Sequence, residues 1–166
     1  MASAVSRRRF LRGDFSGGGA PLRPPWAIGE TSFPELCSRC GECLDRCPTG
    51  IIVPGSGGFP VVDFSRGECR FCDTCTAHCE PGALSGVARA RGEPAWERQT
   101  YFTEACLSRS GVVCRSCADQ CVTRAIRFRP QAGGAFLPRL EPALCNGCGA
   151  CVAPCPVGAV EIRMPH

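Results

Sequence analysis

The chain has 166 residues and no lysine: all 19 of its basic residues are arginine. That excludes a P-loop lysine, a Schiff-base lysine and a lysine general base. The bias toward arginine is read as genomic base composition rather than as selection for the guanidinium fork. Histidine and methionine are scarce, at 2 residues each. No apolar run approaches the ~18 residues that would span a bilayer. Hydrophobic residues total 44 %, yet without cysteine roughly a third of the chain is apolar, near the bottom of the globular range. Glycine (20) and proline (15) supply turns rather than core. So little buried carbon calls for crosslinks of some kind.

What the chain has instead is cysteine, 16 residues in four groups. They are Cys37, Cys40, Cys43, Cys47; Cys69, Cys72, Cys75, Cys79; Cys106, Cys114, Cys117, Cys121; and Cys145, Cys148, Cys151, Cys155. Three groups read C-x2-C-x2-C-x3-C; the third stretches its first spacing to seven residues. Disulfides fit poorly, because cysteines three apart cannot all pair with one another without strain. Zinc normally takes two separated C-x2-C pairs per tetrahedral site. A cubane iron–sulfur cluster takes three thiolates from one tight loop and a fourth from elsewhere, and in two-cluster proteins the fourth cysteine of each run serves the other cluster. Four such runs predict four [4Fe–4S] clusters.

The crossing pattern assigns Cys37, Cys40, Cys43 and Cys79 to one cluster and Cys69, Cys72, Cys75 and Cys47 to a second. Cys145, Cys148, Cys151 and Cys121 form another set, and Cys106, Cys114, Cys117 and Cys155 the last. The loop 107–113 of that last set either bulges outward with its ligands in place or makes the cluster labile or differently tuned. Proline after the fourth cysteine interrupts helical hydrogen bonding; Pro48 and Pro156 follow that pattern, Pro81 is displaced by one residue, and Val122 replaces it.

The repeat is double. In each copy two β-rich runs flank a Gly/Pro turn, residues 50–53 with 59–64 and residues 125–128 with 135–138, predicting a β-hairpin. Short helices are expected at 67–77 and 146–153, and matching terminal strands at 82–84 and 158–162. The predicted fold class is α+β: two tandem ferredoxin-like units, residues 31–88 and 105–166, joined by a linker, residues 89–104. Trp96, Tyr101 and Phe102 of that segment are expected to pack against a unit. His78, beside Cys79, is expected to be structural, and no enzyme active site is expected.

Residues 1–30 form a basic arm. Ser6-Arg7-Arg8-Arg9-Phe10-Leu11-Arg12 resembles a twin-arginine export signal, but the polar, Gly/Pro-broken stretch that follows is no hydrophobic region. The expected location is therefore the cytoplasm. The basic run is short and lacks a base-stacking platform, so nucleic acid is not expected as a partner. Formal charge is +4; four oxidised cubanes with thiolate ligands, at about −2 each, would bring the loaded protein near −4. A negative body with a positive tail suits docking on a protein.

The arm Ser6-Arg7-Arg8 with Leu11-Arg12-Gly13, then Arg23-Pro24-Pro25-Trp26, the four cysteine groups, the stretched Cys106–Cys114 spacing and Cys145-Asn146-Gly147-Cys148-Gly149-Ala150-Cys151 together resemble the NapF family, ferredoxin-type proteins encoded with periplasmic nitrate reductases. The resemblance implies a cytoplasmic protein acting in maturation, through iron–sulfur cluster assembly, of the reductase's catalytic subunit NapA before its export. It also makes Arg7, Arg8, Arg9 and Arg12 candidate partner-binding residues. The alternative expectation is a polyferredoxin that carries electrons to a redox enzyme.

Overall fold

The structure, a computed structural model, describes residues 21–131, 134 and 136–163. Arg7, Arg8, Arg9 and Arg12 lie outside the described residues. Among the described residues, strands pair only in twos. β1 (Ile52–Pro54) and β2 (Pro60–Val62) form an antiparallel hairpin with Ile52 opposite Val62. β4 (Ile126–Pro130) and β5 (Phe136–Leu140) repeat it with Ile126 opposite Leu140. β3 (Gln99–Phe102) pairs antiparallel with β6 (Val160–Arg163).

The α-helices among the described residues are single turns: Phe33–Leu36, Glu42–Asp45, Thr74–Ala77, Gly86–Ala90 and Ser116–Asp119. The helix expected over 67–77 is confined to Thr74–Ala77, and residues 146–153 form turns rather than a helix. The cause is backbone handedness. Phe71 (φ 51°) and Asp73 (φ 60°) in one loop, and Gly147 (φ 73°) and Gly149 (φ 80°) in the other, sit in the left-handed region, which cannot propagate a right-handed helix.

The sequence repeat is also a burial repeat. Ile51 and Ala125 are each 1 % exposed, Ile52 and Ile126 each 5 %, and Ala83 and Ala159 each 1 %. The hairpins close alike, Asp63 N–H donating to Ile51 O at 2.7 Å and Glu141 N–H to Ala125 O at 2.8 Å. Two small cores result. One gathers Phe33, Ile51, Ile52, Val62, Phe64, Ala83 and Leu84 with Cys75; the other gathers Ile126 and Val160 with Cys117 and Cys151.

Segments flanking the units are built into them. Ala27 bridges Leu84 in antiparallel fashion, and Val62 N–H donates to Leu22 O at 2.7 Å. Arg23 ion-pairs with Glu30 at 2.6 Å and lies over the Phe33 ring, 4.7 Å from its centroid. The segment read as a linker supplies β3. Its three aromatics divide their contacts: Trp96 packs on the first core, Phe102 on the second, and Tyr101 lies under the Arg163 guanidinium.

The two cores meet. Val152 and Ile162 pack against both, Trp96 stands edge-on to Phe64 with centroids 5.7 Å apart, and Trp96 Nε1 donates to Gly147 O at 3.1 Å. Cys69 N–H donates to Cys148 O at 2.8 Å, tying a cysteine loop of one unit to a cysteine loop of the other.

Candidate metal centres

All sixteen cysteines are free thiols. Cys37, Cys40, Cys43 and Cys79 line one cavity of ≈ 160 Å³. Cys47, Cys69, Cys72 and Cys75 line a second, smaller one. In each cavity three thiols come from one loop and the fourth from the other.

In the second unit, Thr100 Oγ1 stands 3.6 Å from Cys151 Sγ and 3.8 Å from Cys145 Sγ. Burial pushes the Cys148 thiol up, and neighbouring Cys121, Cys145 and Glu68 add to the rise. Cys106 and Cys151 act on Cys117, and Cys155 packs on the core that holds Cys117 and Cys151. The stretched loop forms a tight 3-10 turn, Leu107–Ser110, ended by left-handed Gly111 at φ 78°. It bulges outward, leaving Val113 94 % exposed, while buried Ser108 donates from its hydroxyl to Cys114 O at 3.0 Å and anchors the loop to the backbone of Cys114.

Burial dominates the electrostatics. It pushes the Cys75 and Cys117 thiols up to about 12, and those of Cys43, Cys69 and Cys151 up to about 11, with neighbouring thiolates adding to the rise. Cys47 and Cys121 run the other way. Burial raises them too, but the hydroxyls of Thr49 and Thr123 and nearby backbone N–H groups outweigh it. Each of them is one of the two crossing cysteines of its unit.

The donor set fits an iron–sulfur cluster. Packing four thiolates together without a cation is unfavourable, and an all-sulfur site selects zinc or iron–sulfur. Four thiolates on one zinc ion would stand ~3.8 Å apart, whereas among the described residues no three His, Cys, Asp or Glu groups converge on an ion-sized point. Backbone N–H groups also point at the sulfurs: Phe71 at Cys69, Leu84 at Cys79, Ala125 at Cys121 and Ala159 at Cys155, at 3.2–3.4 Å. Thr100 had no signal in the cysteine spacing; it comes from β3, in the segment read as a linker. His78 Nδ1 is engaged with Thr74 O at 2.9 Å.

Two family models match, each a 4Fe-4S dicluster domain, over residues 36–84 and 112–159. The chain is 40 % identical over 166 residues to the ferredoxin-type protein NapF of Escherichia coli K12, covering 100 % of this chain and 99 % of the relative. The chain belongs to the NapF family. The Haemophilus influenzae NapF is likewise 40 % identical, over 96 % of this chain and 94 % of its own length. The methylamine utilization ferredoxin-type protein MauM of Methylobacillus flagellatus is 31 % identical over 86 % of this chain and 67 % of its own. The expected α+β arrangement of two tandem dicluster units therefore holds, as does the expectation of an iron–sulfur protein of ferredoxin type. No helix among the described residues is long and apolar enough to cross a membrane.

Proposed function

We propose that the chain carries four [4Fe–4S] clusters and acts in the cytoplasm in maturation of NapA, the catalytic subunit of periplasmic nitrate reductase, before that subunit is exported. The ligand sets are Cys37, Cys40, Cys43, Cys79; Cys47, Cys69, Cys72, Cys75; Cys121, Cys145, Cys148, Cys151; and Cys106, Cys114, Cys117, Cys155. The observation that carries the reading is full-length identity of 40 % to NapF proteins, joined to cavities lined by crossing sets of four thiols.

When bound, the clusters supply one-electron exchange at low potential. The chain's own residues hold them. Cysteine thiolates crossing between paired loops lock each unit together. Backbone N–H groups and threonine hydroxyls stabilise charge on the sulfurs, and the apolar side chains around Cys75 and Cys117 keep water away. The reading gives the chain a partner rather than a substrate to convert, and so no enzyme activity of its own. Arg7, Arg8, Arg9 and Arg12 form a positive arm on a body that is negative once loaded, and dock it on NapA.

The alternative, a polyferredoxin electron carrier, is favoured by one observation, the hydrogen bonds to ligand sulfurs, which suit clusters that are kept and tuned. An anaerobic pull-down with the full chain as bait separates the two. Retention of the unexported NapA subunit is expected, and retention should fall when Arg7, Arg8, Arg9 and Arg12 become alanine while iron content stays unchanged. The Cys114→Ser variant should lose one cluster, keep NapA and lower nitrate reductase activity. Failure of the wild type to retain NapA would favour the carrier.

A further inference from the structure

The motif Cys145-Asn146-Gly147-Cys148-Gly149-Ala150-Cys151 has glycine at both of its left-handed positions. Handedness alone does not demand it. The same two positions in the first cysteine loop are Arg39 (φ 60°) and Gly41 (φ 87°), and in the second Phe71 (φ 51°) and Asp73 (φ 60°). Side chains are thus tolerated there. Space is what differs. A Cβ on Gly149 would run into the Phe64 ring, and one on Gly147 would lie 2.5 Å from Trp96 Nε1, whereas a Cβ on Gly41 would meet nothing within 4 Å. Phe64 belongs to the first core. The two glycines therefore let the first unit close directly onto a ligand loop of the second, at the point where Cys69 N–H donates to Cys148 O at 2.8 Å.

Cys69 lies in the set Cys47, Cys69, Cys72, Cys75, and Cys148 in the set Cys121, Cys145, Cys148, Cys151. We propose that Gly147, Gly149, Phe64 and Trp96 form a seam that makes these two sites neighbours. The four cluster sites then form one row: the Cys37 set, the Cys47 set, the Cys121 set and the Cys106 set. The chain is one array with two ends, rather than two independent pairs on a string. The inference rests on the ligand sets proposed above.

Within each unit the sites are already adjacent. Cys37, Cys43 and Cys79 of the first set and Cys47, Cys69 and Cys75 of the second lie in or against one core; Cys121 and Cys151 of the third and Cys117 and Cys155 of the fourth lie in or against the other. Val152, between Cys151 and Cys155 in the chain, packs on both cores.

The test uses the full chain, reconstituted anaerobically, fully reduced and examined by low-temperature EPR, with iron assayed in parallel. Neighbouring reduced clusters broaden each other's lines and speed each other's relaxation. Cys145→Ala should lose about a quarter of the iron, one of four cubanes, and narrow the lines of the first unit. Cys114→Ala should lose the same iron and leave those lines unchanged. Gly149→Ala should weaken the coupling between units with iron retained, whereas Gly41→Ala, equally left-handed but unobstructed, should leave it intact. If Cys145→Ala leaves the first unit's lines as they were, or Cys114→Ala changes them as much, the row is overturned. If Gly149→Ala cannot hold its clusters, the two cysteine variants decide the order. A wild-type chain with fewer than four clusters' iron would instead overturn the ligand sets.

Discussion

Thr100 is 4 % exposed, yet its hydroxyl reaches two sulfurs of one cysteine set. Threonine is common enough in strands that nothing in the sequence distinguishes this one, and its role follows only from where β3 lands. A donor to a thiolate sulfur favours the reduced, more electron-rich cluster and raises its potential. Thr100→Val keeps the shape and removes the donor. A hydrogen bond is worth about 1 kcal/mol, so one midpoint potential should fall by about 40 mV for a one-electron couple, with iron content unchanged; Thr100→Ser should restore it. An EPR-monitored redox titration reads the shift, and identical midpoints in all three proteins would show that the hydroxyl is only packing.

Among the elements, the cysteine loops departed furthest from expectation. Of the short helices expected over 67–77 and 146–153, only the turn Thr74–Ala77 forms. Cluster loops instead turn their thiols toward a common centre, which left-handed residues such as Phe71 and Asp73 achieve. The stretched loop resolves in the same local terms. Leu107–Ser110 is an outward 3-10 turn whose buried Ser108 holds Cys114 O. Ser108→Ala removes that bond. At about 1 kcal/mol, the cluster proposed at Cys106 and Cys114 should be lost to an iron chelator roughly fivefold faster, with the other proposed clusters released at wild-type rates. Biphasic release in both proteins with identical rates would mean that the anchor does not govern lability.

For the molecule as a whole, the two cores are small and cysteine is part of each. Two-stranded ribbons and single-turn helices have little stability of their own. Cluster binding and folding should therefore be one process. Anaerobic iron chelation is expected to collapse the dispersed amide spectrum and the far-UV circular dichroism together. A chelated chain that kept a sharp, dispersed spectrum would show that the apoprotein core suffices.

Cysteine spacing pointed to iron–sulfur chemistry and to crossing sets, because three thiolates from one loop and a fourth from its partner are a constraint local enough to be written along the chain; the cavities of the first unit gather two such sets. The hairpins were legible for the same reason: alternation and Gly/Pro turns act over a few residues. The meeting of the two units was not. It depends on Phe64 reaching Gly149, Trp96 reaching Gly147 and Cys69 reaching Cys148, contacts between residues 51 to 85 positions apart. Which surfaces bury each other there is decided by shape and by backbone polar groups in three dimensions. The segment 89–104 likewise read as a linker, and only its pairing with β6 made β3 a wall of the second unit and placed Thr100 against its sulfurs.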